Sequence, residues 1–310
     1  MIFVQHAQLT DRKEVAPFGG DATMFLTCFL HDVYAPLRAI DRRTVQLYEY
    51  TIASFGRFLG RPAELSDLEE LLVARFLMAR SRERAAATAA KDRSQLRALW
   101  EFAARRNLTP TWPTIPLIRV PERTPVAWMA DEMIRLVEAA KQERAAYDGV
   151  PAADWWRAAL LVAYDTGERC TAVLSLRWCD VGLGHVVFRA ETRKGKRRDS
   201  LRDIGDEASR ALQAIRCGRS GEDLVFPWPR TRSYLWKRLG IILERAGLPH
   251  SRQDKFHRIR RTTASFFEAA GGSAQHLLDH ADPATTRRYL DPRIVRGKSA
   301  PGMIPPVGGG

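Results

Sequence analysis

"NLTPTWPTIPLIRVPERTPVAW", residues 107–128, decides how the chain is divided. Pro110, Pro113, Pro116, Pro121 and Pro125 each fix φ and remove a backbone donor, so no regular helix passes through and an extended, semi-rigid path is expected. The sequence differs in kind on either side. Upstream, every periodic segment has helical spacing; downstream, helical segments are interrupted by a strand-like pair. At 310 residues, and about 150 residues per domain, two domains are expected, each able to bury its own core. The expected layout is a tail at 1–20, a helical domain at 21–109, a linker at 110–126, a mixed domain at 127–292 and a Pro/Gly-rich tail at 293–310.

Upstream of the prolines, "RRTVQLYEYTIASFGRFLG" (42–60) places Tyr48, Ile52, Phe55 and Leu59 on one stripe and stops at Gly60. "SDLEELLVARFLMAR" (66–80) opens with Ser66 and Glu69 at capping-box spacing. "RERAAATAAKDRSQLRALWEFAARR" (82–106) turns Leu96, Leu99 and Trp100 inward and leaves a basic face that includes Arg84 and Lys91. Downstream, "DEMIRLVEAAKQ" and "DWWRAALLVAYDTG" read as helices, and "HVVFRAETRKGKRRDSLRDI" (185–204) as a hairpin. Val186 to Glu191 is its first strand and Lys194-Gly195-Lys196 its turn. Helices resume at "DEASRALQAIR", "TRSYLWKRLGIILERAG" and "DKFHRIRRTTASFFEAAGG". The last, "DPATTRRYL", begins on an Asp282-Pro283 cap.

Lys and Arg number 49 against 36 Asp and Glu, a net charge of +13, and most of the positive charge is arginine. Its planar fork suits phosphate, so a polyanion is the expected partner, nucleic acid before a membrane surface. Cys28, Cys170, Cys179 and Cys217 form no Cys-x-x-Cys pair, which argues against a disulfide framework or a thiolate metal site. "MIFVQHAQLTDRKEV" lacks the pattern of a secretory leader, and the longest apolar run, "AALLVAY", is too short for a membrane span. The cytoplasm is the expected location.

The chemistry-bearing candidates are dispersed. Arg169 follows a Thr-Gly break at the mouth of a short helix, where an anion is well placed. "RKGKRR" is a cationic hairpin tip. His257 and Arg260 share one face of a helix whose other face carries Ile259, Phe266 and Phe267. His280 and Tyr289 follow. Each alone is consistent with a solvated face, a cap or a packing role.

Taken in order, "TGERCTAVLSLRWCDV" (166–181), "KGKRR" (194–198), "HRIRRTTASFFEAAG" (257–271) and "LLDHADPATTRRY" (277–289) resemble the tyrosine recombinase, or phage integrase, family. The resemblance runs motif by motif over 165–290; the helical upstream part is similar in size and composition only. It implies a mostly α fold with a small sheet (α+β): a helical, SAM-like core-binding domain and a catalytic domain like that of type IB topoisomerases, closing as a C-shaped clamp around duplex DNA.

For the residues, the resemblance implies that Tyr289 attacks a backbone phosphate and forms a 3′-phosphotyrosine link. Arg169 and Arg260 would hold the non-bridging oxygens, and Lys194, with Lys196 in reserve, would protonate the leaving 5′-oxygen. His257 would assist proton transfer from the tyrosine, and His280 would donate to the phosphate. Because the covalent link conserves the bond energy, neither cofactor nor metal is implied. Lys196, Arg197, Arg198, Arg258, Arg261, Arg84 and Lys91 are the expected DNA contacts. The implied partner is a double-stranded recombination site, with four protomers acting on two sites and no membrane involved. The segment "LDPRIVRGKS" after Tyr289 would dock on a neighbouring protomer.

The chain departs from the family pattern twice. Ala172 stands where relatives carry an acid three residues after the first arginine, and Asp279 stands where they carry the glycine of Leu-Gly-His. Aspartate tolerates the left-handed backbone that such a glycine adopts. Three other readings compete. A DNA-binding protein without catalysis would share the charge and layout but have no use for Tyr289. A type IB-like enzyme would relax DNA without exchanging partners. A metallohydrolase is suggested by "HLLDH", where His276 and His280 have helical zinc spacing but no glutamate follows the first histidine.

Overall fold

The computed structural model describes residues 24–193, 195 and 198–295, so Lys194, Lys196 and Arg197 lie outside the described residues. The chain forms two compact units, Met1–Glu122 and Arg123–Gly310.

The first unit is helical. A short helix α1 (Leu26–Cys28) runs through a π-helical stretch, Phe29–Tyr34, into α2 (Ala35–Arg38). Then come α3 (Arg42–Leu59), α4 (Glu70–Glu83) and α5 (Ala86–Ala104). The predicted stripe on α3 is borne out: Ile52 and Phe55 are buried, Tyr48 and Leu59 half-buried. Gly60 ends the helix with φ +74°, a left-handed conformation that costs a glycine nothing. Leu96, Leu99 and Trp100 of α5 close the core against Phe55, Phe76 and Phe29.

The Ser66–Glu69 capping box does not form. One turn earlier, Asp67 caps the backbone nitrogen of Glu64 at 2.8 Å and is itself held by Arg61, so the cap closes a short 3-10 turn, not α4. The basic run beyond α4 is also not continuous helix; Arg84 is extended and α5 starts afresh at Ala86. The first half of the Pro-rich stretch is extended, as expected, but packs on its own unit. Arg93 donates to the Ile115 and Pro116 carbonyls, Trp100 to Thr111, and Ile115 joins the core.

The second unit is built around α7 (Ala152–Thr166), preceded by α6 (Ala130–Ala140) and a two-residue pair, β1 (Ala146–Tyr147) with β2 (Val150–Pro151). Trp155, Trp156, Ala159, Leu160 and Val162 of α7 are all buried, which explains why this helix reads as hydrophobic all round. There follow α8 (Cys170–Leu174), β3 (His185–Phe188), β4 (Ser200–Asp203), α9 (Asp206–Ile215) and α10 (Arg232–Arg245). The chain ends with α11 (Phe256–Ala269), α12 (Ala274–Leu278) and α13 (Pro283–Arg287).

The hairpin is antiparallel, with Val186 opposite Arg202 and Phe188 opposite Ser200. Its first strand ends at Phe188, three residues before the predicted end, because Ala190–Thr192 closes a 3-10 turn with Asp199 capping the Ala190 nitrogen. Phe267, placed on the apolar face of α11 from the sequence, is exposed; Ile259 is buried and Phe266 half-buried. No helix among the described residues is long and apolar enough to cross a membrane.

Two long-range hydrogen bonds fasten the start of this unit to its end. Ala127 donates to the Asp291 carboxylate at 2.7 Å, and Trp128 to the Thr262 hydroxyl at 2.7 Å. Residues 293–295, assigned from the sequence to the Pro/Gly-rich tail, are tied to the same point. Arg293 donates to Asp291 and to the Ala127 carbonyl, and Ile294 to the Asp291 carbonyl.

Candidate active site

α7 ends where Gly167 turns left-handed, φ +62°, with Thr263 and Leu278 beside the place a β-carbon would take. The chain then passes through buried Glu168 to Arg169, whose extended backbone is the N-cap of α8. α11 presents His257, Arg260 and Arg261. α12 ends at Leu278, and Asp279 takes the left-handed conformation, φ +54° and ψ +48°, expected of it in place of glycine. Asp282 caps α13 through the Ala284 nitrogen, with Pro283 first in the helix, as the sequence predicted. One turn later stands Tyr289.

These segments converge. Ala264, Ala274 and Leu278 form a small apolar cluster against which Tyr289 and Leu290 pack. The Tyr289 ring lies between two imidazoles, 5.0 Å from His257 at 62° and 5.0 Å from His280 at 52°. The Arg260 guanidinium carbon is 5.6 Å from the centre of the same ring. His280 is oriented through Nδ1, 3.1 Å from the hydroxyl of buried Thr286.

The two arginines occupy different environments. Arg260 is only 1% exposed, and its terminal nitrogens donate to the Gly167 carbonyl at 2.6 Å and the Leu278 carbonyl at 3.0 Å. In this arrangement two of its five N–H groups brace the two turns that carry Arg169 and His280. Burial, and then the Arg169 charge beside it, lower it to about 10, with Glu168 opposing. Arg169 is half-buried, and among the described residues its guanidinium has no hydrogen-bonding partner. Two cations this close, one of them without a partner, make a site that favours an anion.

His257 answers to the same field. His257 is exposed on its outer side, yet desolvation on its inner side, then the charges of Arg261, Arg260, Arg169 and His280, push its imidazole down to about 4. It is therefore neutral at pH 7, with a lone pair open to a proton but a basicity below that of an ordinary imidazole while the cations around it face no anion.

Among the expected DNA contacts, Arg198 and Arg84 are exposed, while Lys91 and Arg261 are half-buried and Lys91 lies 3.5 Å from Asp92. Arg258 requires correction. It is buried, pairs with Asp254 at 2.7 Å, donates to the Ala127 carbonyl and stacks 3.5 Å from the Trp128 ring centre. The burial of Arg258 could not be read from "HRIRR" alone, since Ala127 and Trp128 reach it only after folding. His276 and His280 do not share a helix face, because α12 ends at Leu278 and Asp279 reverses the chain between them. Sequence reasoning missed Glu168, Arg193, Arg202, Thr286 and Asp291, which surround the candidates. The signal available for Glu168 was an acid directly before a predicted anion-binding arginine; its burial appears only in the structure.

The phage integrase family matches residues 128–294, more than half of the chain, and the N-terminal SAM-like domain of phage integrases matches 34–107. Tyrosine recombinase XerD of Ralstonia nicotianae is 27% identical over 80% of this chain and 83% of its own length. Tyrosine recombinase XerC of Rhodospirillum centenum is 28% identical, over 82% and 79%. In fold, the chain is similar to a lambda integrase tetramer bound to a Holliday junction, with a TM-score of 0.67 at 21% identity over 88% of this chain and 79% of that one. A XerH site-specific recombinase bound to a palindromic difH substrate is similar with a TM-score of 0.64 at 19% identity, covering 85% and 80%. With its second unit matched almost from end to end and its helical unit matched separately, the chain belongs to the phage integrase family.

Proposed function

We propose that the protein is a site-specific DNA recombinase that cuts and rejoins duplex DNA through a 3′-phosphotyrosine intermediate. The observation that carries this reading is the Tyr289 ring packed against both His257 and His280 beside Arg260, near Arg169, whose guanidinium has no partner among the described residues. A tyrosine needed only for packing has no use for two imidazoles and a field of cations around it.

The phenolic oxygen of Tyr289 forms the new bond to phosphorus as the bond to the 5′-oxygen breaks. Neutral His257 takes the phenolic proton, and the leaving oxygen receives one from a hairpin lysine, Lys194. Arg169 and His280 meet the non-bridging oxygens, and Arg260 adds its charge from beneath; such preorganised donors act where transition-state charge develops. Rejoining reverses the steps with a 5′-hydroxyl as nucleophile, so the reaction is balanced without an external energy source. Relatives named as tyrosine recombinases and fold neighbours seen on a recombination site and on a Holliday junction support duplex DNA as substrate and four protomers on two sites as the working assembly. The net charge of +13 supports binding that weakens steeply with salt.

The test is covalent capture on a random library of nicked suicide duplexes. The protein is expected to become attached to DNA 3′ ends at a recoverable sequence, and Tyr289→Phe to bind the same duplexes without attachment. Attachment that survives Tyr289→Phe, or none with the unaltered protein, overturns the reading. Supercoil relaxation without exchange of partners would point to a topoisomerase.

A further inference from the structure

The structure assigns Glu168, Arg193 and Asp279 to a clamp that positions Arg169 and His280 against the phosphate. This rests on the recombinase reading of the site and adds to it residues that the reaction does not touch directly.

Arg193 is 4% exposed, Glu168 2%. From Nε and Nη2, Arg193 donates to the same Glu168 oxygen, Oε1, at 3.1 and 2.8 Å. The Nη2 nitrogen also lies 3.4 Å from the Asp279 carboxylate. The other Glu168 oxygen accepts from the Arg169 backbone nitrogen at 3.2 Å. One guanidinium thus joins the residue directly before Arg169 to the residue directly before His280. Arg202, on the returning strand of the hairpin, reinforces the joint by donating to the Leu277 carbonyl at 2.8 Å.

Stability alone explains this poorly. Burying a carboxylate and a guanidinium carries a desolvation cost that often cancels their attraction, and an apolar pair of the same size does as well. What the ion pair supplies is geometry. Consecutive α-carbons are about 3.8 Å apart, so a displacement of Glu168 or Asp279 passes almost undiminished to its neighbour. The two departures from the family pattern then have one explanation. Asp279 keeps the left-handed turn that glycine would give and adds a carboxylate that glycine lacks, aimed at Arg193. Glu168 puts an acid on the other side of Arg169 from Ala172, which is buried and apolar.

The experiment compares two suicide substrates at a site recovered from the library. One carries the ordinary phosphate, the other a methylphosphonate, in which a methyl group replaces a charged non-bridging oxygen. Tyr289 oxygen attacks phosphorus and the 5′-oxygen leaves in both, but the neutral substrate makes little demand on positioned cations. Arg193→Met and Asp279→Asn are expected to slow attachment to the phosphate by about tenfold or more, since a displacement of an ångström costs that or worse. On the methylphosphonate they stay within about threefold of the unaltered protein. Arg193→Lys, which keeps the charge without the fork, should fall between them.

Equal losses on both substrates, as general unfolding would give, or no loss on the phosphate, overturn the clamp. Should Arg193→Met not fold, Asp279→Asn carries the comparison, because Asp279 is half-exposed and asparagine tolerates the same backbone. If the unaltered protein attaches to neither substrate, the recombinase reading falls instead. The clamp is then decided by whether Arg193→Met and Asp279→Asn are non-additive in urea unfolding, and additive effects remove it.

Discussion

The Asp291 carboxylate accepts the Ala127 backbone hydrogen at 2.7 Å, joining the first residues of the second unit to the residue two places after Tyr289. Asp291 is fully buried; burial pushes its carboxyl up, but hydrogen bonds from Arg293 and Ala127 outweigh that and hold it below the usual carboxylate range. Ser265 completes the arrangement by accepting from the Asp291 nitrogen at 2.9 Å. The tyrosine is thereby suspended between the α13 cap and a fixed point, not left on a free end. Asp291→Ala strands the Ala127 donor and is expected to destabilise the protein by about 2–4 kcal/mol. Urea unfolding checks this, and attachment to DNA should fall more than the remaining folded fraction accounts for.

Arg169 and Arg260 should separate stability from rate. Arg169 has no partner among the described residues, so Arg169→Ala is expected to change stability by less than about 0.5 kcal/mol while lowering the attachment rate by about 10²–10³. Arg260→Ala removes the brace between the Gly167 and Leu278 carbonyls and should cost about 2–4 kcal/mol as well as activity. Thermal melts beside single-turnover attachment distinguish the two; equal destabilisation by both changes would contradict the environments described.

For His257 the folded value of about 4 lies below the unfolded one of about 6.5. The fold therefore favours the neutral ring. The stability this contributes is complete above pH 6.5 and is lost as pH falls through the folded value. His257→Gln should flatten the acid side of the stability profile between those limits. A ring titration followed by NMR in the DNA-free protein should find a midpoint below pH 5, and a midpoint near 6.5 would contradict the cationic field.

Arg258 and Arg198 give a test of the DNA face. Arg258→Met should destabilise by about 1–3 kcal/mol through the lost Asp254 pair and Trp128 stacking, leaving the salt dependence of DNA binding unchanged. Arg198→Ala should leave stability alone and, if the hairpin meets the backbone, reduce the salt slope by about 1. Binding isotherms at several salt concentrations report both.

Much of this was legible in the sequence. The α3 stripe, the Gly60 and Gly167 stops, the Asp282-Pro283 cap and the presence of the hairpin follow from local patterns, because φ preferences and apolar periodicity act over a few residues. The order of Arg169, His257, Arg260, His280 and Tyr289 was legible too, as a motif. The Ser66 cap was misread because a competing local arrangement, Asp67 on the Glu64 nitrogen with Arg61 holding its carboxylate, closes a 3-10 turn there instead, and the run 82–106 is broken at Arg84, whose backbone is extended.

The amino-acid sequence by itself determined the elements, the division at the prolines, the family motifs and the left-handed turn that Asp279 tolerates. Tertiary structure alone decided which charges face solvent and which are buried. It placed Arg258 in the interior while the Arg169 guanidinium has no partner among the described residues, and made Glu168, Arg193 and Asp279 neighbours across more than a hundred residues. The reason is physical. Backbone conformation is set by neighbours in the chain, but the cost of burying a charge, and the partner that offsets it, depend on segments that meet only after folding.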